Sequence, residues 1–264
     1  VDLGLRDRVA IVSGASAGLG FAAALVLAGE GAKLAIGSRR KDVIEAAART
    51  IRERTGAEVL PVTCDVTQPD DIHRFVAETA SRFDNRIDIL INNAGGPPFG
   101  RALQLDDTQW REGYELTFRS VVLFCRQVVP YMQARRWGRI VTITSTSSKE
   151  PIEGLTVSNA LRPAIVGFAK TLSRELAADN ILVNNVCPGS FMTRRHRDLL
   201  QRWADEKGTT AEEVLRQREA NIPLGRFGEP EELGRVIAFL ASEAASYVTG
   251  ATLQVDGGLC RGLL

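Results

Sequence analysis

Two short stretches of the chain carry residue types suited to gripping phosphate. The first is Ser13-Gly14-Ala15-Ser16-Ala17-Gly18-Leu19-Gly20, set between an apolar run and a helical pattern. Gly14, Gly18 and Gly20 would let the backbone turn tightly and approach a pyrophosphate. Ser16 and Leu19 lie where a starting helix offers free N–H groups to anionic oxygens. The second stretch is Gly37-Ser38-Arg39-Arg40. Its guanidinium groups can fork onto a phosphate through charge-assisted hydrogen bonds, or simply lead a helix as surface charges. Metal chemistry is not expected. The four cysteines, Cys64, Cys125, Cys187 and Cys260, form no CxxC pair, and His73 and His196 stand too far apart for a helical zinc motif.

The elements that must position these stretches alternate along the whole chain. Strand-like apolar runs occur at Arg8–Ser13, Lys33–Gly37, Glu58–Cys64, Ile87–Ile91, Arg139–Thr144 and Ile181–Val186. Between them lie helical stretches at Phe21–Gly29, Lys41–Arg54, Pro69–Arg82, Asp106–Ala134 and Ala160–Ala177. Runs that are apolar throughout suit strands covered on both faces. The alternation predicts an α/β protein: one doubly wound Rossmann-type domain over residues 1–264, with a parallel sheet of about seven strands. The least regular region, 190–223, carries Arg194-Arg195-His196-Arg197 and a polar helix over Ala211–Ala220. Its position after a strand's carboxyl end makes it a substrate lid; the alternative is a solvated pair of surface helices. Lys+Arg at 33 against Asp+Glu at 32 leaves a net charge of +1, which argues against a nucleic-acid binder. The charged start, Val1 to Arg8, has no apolar signal core, and no apolar run is long enough for a membrane span. A reducing cytoplasm is the expected compartment.

The glycine spacing, Gly-x-x-x-Gly-x-Gly, resembles that of the short-chain dehydrogenase/reductase family. Further segments agree in order: Cys64-Asp65-Val66-Thr67, Asn92-Asn93-Ala94-Gly95, Gly138-Arg139-Ile140-Val141 leading to Ser145, and Pro188-Gly189 with Thr193. The tail, Pro223 to Pro230 and then Thr249-Gly250 and Val255-Asp256-Gly257-Gly258, resembles the 3-oxoacyl-[acyl-carrier-protein] reductase branch. The resemblance implies that Asp65 and Val66 bracket an adenine. It places Asn92, Ala94 and Gly95 beneath the adenosine ribose, and Pro188, Gly189 and Thr193 at the nicotinamide end. Where NAD-preferring relatives carry an acid, this chain has Ser38 followed by Arg39 and Arg40, which implies NADP(H). The resemblance further implies a homotetramer assembled through Tyr247–Gly258, with a dimer as the alternative.

At the catalytic positions the family pattern fails. The family's serine maps onto Ser145, but its tyrosine and lysine positions hold Ser158 and Arg162, and its asparagine position falls on Thr117. Serine is a far weaker acid than a phenol, and arginine stays protonated. Pro163 removes a backbone donor next to Arg162, which implies a reshaped pocket backbone. Lys149, Glu150 and Tyr114 are substitute candidates, each more readily explained as surface or packing. His73 and His196 read as surface residues, and Cys187 as a buried free thiol. The leading expectation is a divergent NADP-dependent oxidoreductase that interconverts a carbonyl and an alcohol on a small molecule, including one linked to an acyl carrier. The rivals are a non-catalytic NADP-binding protein and a scaffold with a vestigial site.

Overall fold

Apolar runs become strands and amphipathic stretches become helices in near-strict alternation. The computed structural model describes residues 2–263, apart from the side chains at positions 195, 202 and 206. The outermost positions of the expected 1–264 domain, and the Arg195 side chain of the expected lid, therefore lie outside the described residues. In chain order the elements begin β1 (Val9–Ser13), α1 (Gly18–Gly29), β2 (Lys33–Ser38), α2 (Lys41–Thr55), β3 (Val59–Thr63) and α3 (Pro69–Arg82). Next come β4 (Ile89–Asn92), α4 (Asp107–Tyr114), α5 (Ser120–Arg135), β5 (Gly138–Ile143), α6 (Thr156–Leu176) and β6 (Ile181–Pro188). The chain continues through α7 (Arg194–Lys207), α8 (Ala211–Glu219), α9 (Pro230–Leu240) and β7 (Thr252–Val255).

The seven strands form one parallel sheet in the order β3-β2-β1-β4-β5-β6-β7. All five residues of β1 and all eight of β6 are buried, because helices cover both faces. On one face α1, α2 and α9 enclose Leu27, Ile36, Ile51 and Ile237. On the other, α3, α5 and α6 enclose Phe75, Phe124, Ile165 and Val183. Parallel pairing brings every strand's carboxyl end to one edge, and the order reverses direction between β1 and β4, where such sheets open a crevice. The opposite edge is closed by ionic packing. Arg139 is fully buried there, stacked on Trp137 at 4.3 Å and paired with Glu243 at 3.4 Å.

Three departures from the expected elements bear on the site. The single helix expected over Asp106–Ala134 is divided into α4 and α5 by a π-helical turn at Glu115–Arg119. Helix α9, which went unread, begins with Pro230 at its first turn and with the Glu232 carboxylate accepting the Glu229 amide at 2.7 Å. Within 190–223 both α7 and α8 are helices, and they pack together over Leu200, Ala204 and Val214 rather than over the main cores. No helix among the described residues is long and apolar enough to cross a membrane.

Candidate active site

The glycine loop is held by an asparagine that the sequence reading passed over. Gly14 sits at φ +58°, and a Cβ on Gly20 would lie 2.5 Å from the Gly14 carbonyl oxygen, so neither position tolerates a side chain. Asn93 Nδ2 donates to the Gly14 carbonyl at 2.9 Å. Ser13 Oγ donates to the Asn93 carbonyl at 2.8 Å and accepts from its amide at 2.9 Å. These bonds tie β1 to the end of β4. Helix α1 then starts at Gly18 with Ala17 as its cap, no side-chain capping bond, and no acid in the first turn. Its leading amides stay available to an anion.

At the end of β2, Ser38 Oγ is buried with no hydrogen-bond partner, and the next two side chains, Arg39 and Arg40, are exposed. Asp65 caps a local turn: its Oδ1 accepts from the Thr67 amide at 3.0 Å and the Thr67 hydroxyl at 2.8 Å. Val66 packs partly buried beside it. Asn92, expected beneath the ribose, does not line the main cavity. It is buried, its Nδ2 reaches Thr142 Oγ1 at 3.4 Å, and its Oδ1 has no partner. Gly95 is exposed and does not line the cavity, whereas Asn93, Ala94 and Gly96 do.

One cavity of about 670 Å³ at the carboxyl edge brings most of the remaining expected residues together. Leu19, Ala94, Pro188, Gly189 and Thr193 line it, as do Ser145, Ser158 and Arg162. Ser145 caps the tight turn after β5, its Oγ accepting from the Ser147 amide at 3.1 Å. Ser158 is paired not with Ser145 but with the Ser147 hydroxyl, at 2.9 Å. Arg162 is buried, and its Nη1 donates to the Ile143 carbonyl at 2.7 Å. The expected reshaping around Pro163 does not break the helix. Helix α6 runs through the proline, which faces solvent while Arg162 beside it points inward. The preceding loop is pinned to α6 by the Asn159 side chain, which bonds the Ile152 amide and carbonyl at 3.1 and 2.9 Å.

Thr117 does not reach the main cavity. The π turn aims it into a second, minute cavity of about 10 Å³, shared with Ser13, Asn92, Ser120 and Arg162. Thr117 Oγ1 and Asn92 Oδ1 are both buried there without partners among the described residues, in a space the size of a single water. Thr193 Oγ caps α7 by accepting from the His196 amide at 3.2 Å. His196 itself corrects the surface reading: its ring lines the main cavity, edge-on to Phe227 at 5.0 Å. The α7 cap turns this residue inward, a placement that the charged neighbours Arg194 and Arg197 concealed in the sequence. His73 is exposed, as expected, and meets Gln127 at 3.3 Å.

Among the substitute candidates, Tyr114 is 43% exposed and stacks on Phe118, and Lys149 does not line the cavity. Glu150 does line it, but Oε1 accepts the amides of Arg261 and Gly262. Cys187 is fully buried and lies 3.1 Å from Thr144 Oγ1. Cys260 lines the cavity, but burial first, and then Asp256, push its thiol up to about 11, so it stays protonated at neutral pH.

Comparison with known proteins places this geometry among reductases. The family model described as enoyl-(acyl carrier protein) reductase matches residues 14–260. The putative ketoacyl reductase of the monensin polyketide synthase of Streptomyces virginiae is 36% identical over 96% of this chain and 97% of its own length. Gluconobacter frateurii L-sorbose reductase, solved with NADPH and L-sorbose, superposes with a TM-score of 0.96 at 33% identity, covering all of both chains. An NADPH-bound short chain oxidoreductase from Pseudomonas aeruginosa PAO1, which contains an atypical catalytic center, superposes with a TM-score of 0.87. Its identity is 30%, over 97% of this chain and 99% of that one.

Proposed function

The chain belongs to the short-chain dehydrogenase/reductase family, and from that premise we propose that it is an NADP-dependent reductase of small-molecule carbonyl compounds working through an altered catalytic set. One observation carries this reading. A single cavity joins the Leu19 loop, the Pro188-Gly189-Thr193 segment and the Ser145, Ser158 and Arg162 side chains.

The residues present fit an NADP cofactor. The uncapped start of α1 suits a pyrophosphate, and the orphaned Ser38 Oγ beside exposed Arg39 and Arg40 suits a 2′-phosphate. Asp65 and Val66 would flank the adenine, with Ala94 and Gly95 near the ribose, and Pro188, Gly189 and Thr193 would hold the nicotinamide end. When bound, the cofactor supplies a hydride to the substrate carbon.

The chain's own groups then act on the substrate oxygen. Ser145 Oγ accepts from Ser147 and keeps its O–H for donation to that oxygen. Arg162, fixed by Ile143, supplies a permanent positive charge for the alkoxide that develops. It cannot surrender a proton at neutral pH, so the proton that completes the alcohol comes from water. Ser158 bonds Ser147, orienting the turn that carries Ser145. Thr117 and Asn92 back Arg162 from the small cavity. The helix pair α7–α8 forms the lid. A protein that binds the cofactor without turnover is not favoured, because the relatives matched end to end are reductases.

The test is NADPH oxidation over a panel of aldehydes, ketones and 3-oxoacyl thioesters. Turnover on at least one substrate, lost in Ser145→Ala, is expected. Silence over the whole panel, with NADPH still bound, would sink the reductase reading.

A further inference from the structure

The cavity wall holds a cation that hydride chemistry does not need. Arg218, on α8, lays its guanidinium over the Trp203 ring of α7, with Cζ 3.5 Å from the centroid. Trp203 meets His196 edge-on at 6.4 Å, and His196 meets Phe227 edge-on at 5.0 Å. Arg218, Trp203 and His196 all line the cavity, with Phe227 buried behind them. Stacking of this kind fixes the plane of a guanidinium while leaving its N–H edge open, the geometry that receives a carboxylate or phosphate as a fork.

Among the described residues, no acid pairs with Arg218. Its charge is disfavoured by burial alone, with no carboxylate among the described residues to offset it. The neighbouring cations behave differently: Arg216 pairs with Glu213 at 2.5 Å and Arg226 with Glu232 at 2.7 Å. The two acids that line the cavity are engaged elsewhere. Glu150 holds the amides of Arg261 and Gly262, and Glu153 faces Arg101 at 3.9 Å. The remaining wall is largely apolar, with Phe99, Ile152, Leu155, Leu199 and Leu259.

We propose that the cavity takes a carbonyl compound whose far end is an anionic oxyacid group, a carboxylate or a phosphate ester, joined to the carbonyl by an apolar segment, and that Arg218 selects for that group. The carbonyl end of this assignment rests on the reductase reading; the anion end rests on the Arg218–Trp203–His196 row.

Calorimetric titration into the protein loaded with oxidised NADP+, which cannot reduce a ketone, with NADPH oxidation assayed separately, separates the two. The probes are a homologous series of methyl-ketone acids from levulinate upward, each against its methyl ester, and dihydroxyacetone phosphate against dihydroxyacetone. One acid or phosphate should bind roughly tenfold or more tightly than its neutral partner, as expected of a charged hydrogen bond. Arg218→Met should erase that preference and Arg218→Lys should keep part of it. Trp203→Leu, which leaves the charge but removes its platform, should weaken the preference. Which probe set responds distinguishes carboxylate from phosphate. Equal affinities across every matched pair, or a preference that survives in Arg218→Met, would overturn the proposal. Selective binding without NADPH oxidation would leave it standing while the reductase reading falls, and turnover of neutral ketones without any acid preference would do the reverse.

Discussion

In the proposed site, Arg162 and Ser158 set an acid–base character unlike that of a phenol and an amine. A Tyr at 158 would have to displace the buried Ser147–Ser158 pair, and a Lys at 162 would lose the Nη1 bond to the Ile143 carbonyl. We therefore expect Ser158→Tyr with Arg162→Lys to lower kcat on whichever substrate the native protein reduces fastest. A rise would mean that the altered pair is damage rather than specialisation. Ser145→Ala should cost about 10²–10³-fold in kcat, the usual effect of losing a positioned hydrogen-bond donor to a developing oxyanion. At the other end of the cofactor site, Arg39→Ala should cut the preference for NADPH over NADH by roughly ten- to hundredfold, read as a ratio of Kd values. An unchanged ratio would remove Arg39 from phosphate binding. At this scale Ser145, Ser158 and Arg162 were legible because they fall at fixed spacings. Asn93 and His196 were not. Asn93 hid behind an identical neighbour, and His196 is turned inward by a cap whose direction no linear pattern encodes.

Secondary elements were the more legible layer, for a physical reason. Burial on both faces writes β1 and β4 as nearly continuous apolar runs and leaves β5 and β6 apolar apart from Arg139, Thr142, Asn184 and Asn185, whereas β7, only partly buried, leaves no such trace. Helix α9 did carry signals, Glu229-Pro230 and Glu232, which pass for loop chemistry when read singly. The π turn at Glu115–Arg119 is illegible in principle, since it differs from the α-helix by one residue of hydrogen-bond register and leaves side-chain types unchanged. The α9 start also predicts a pH effect. Hydrogen bonds from Arg226, and then from the Glu229 amide, hold the Glu232 carboxyl down to about 2 from its ordinary 4.5. Because the folded pKa is depressed, this stabilisation is fully present above 4.5 and is lost as pH falls toward 2. The Glu232 side chain is 36% exposed and that of Arg226 51%, so solvent screens the pair in part and the effect is modest. Glu232→Gln should lower the urea midpoint slightly at neutral pH, and the difference from the native protein should vanish near pH 2. A difference independent of pH would assign the loss to packing instead.

On the scale of the whole molecule, β7 leaves a sheet edge beside two exposed apolar side chains, Tyr247 at 103% and Leu253 at 42% relative exposure. We expect a homotetramer built through this segment, measurable as mass by light scattering, and a monomer at micromolar concentration would refute it. The helix pair α7–α8 raises a different matter. Its buried residues, Leu200, Ala204 and Val214, belong to neither core of the sheet. A unit with so few buried side chains opens at a fraction of the free energy that unfolds the rest, so its amides should exchange with solvent ahead of those in β1 or β6. Val214→Ala removes the equivalent of two methylenes, about 1.5 kcal/mol, and should speed exchange in α7 and α8 about tenfold while leaving the main melting transition in place. A ligand held against Trp203 would slow that exchange in proportion to its occupancy, so local exchange in this pair can reveal a binder before any turnover assay exists.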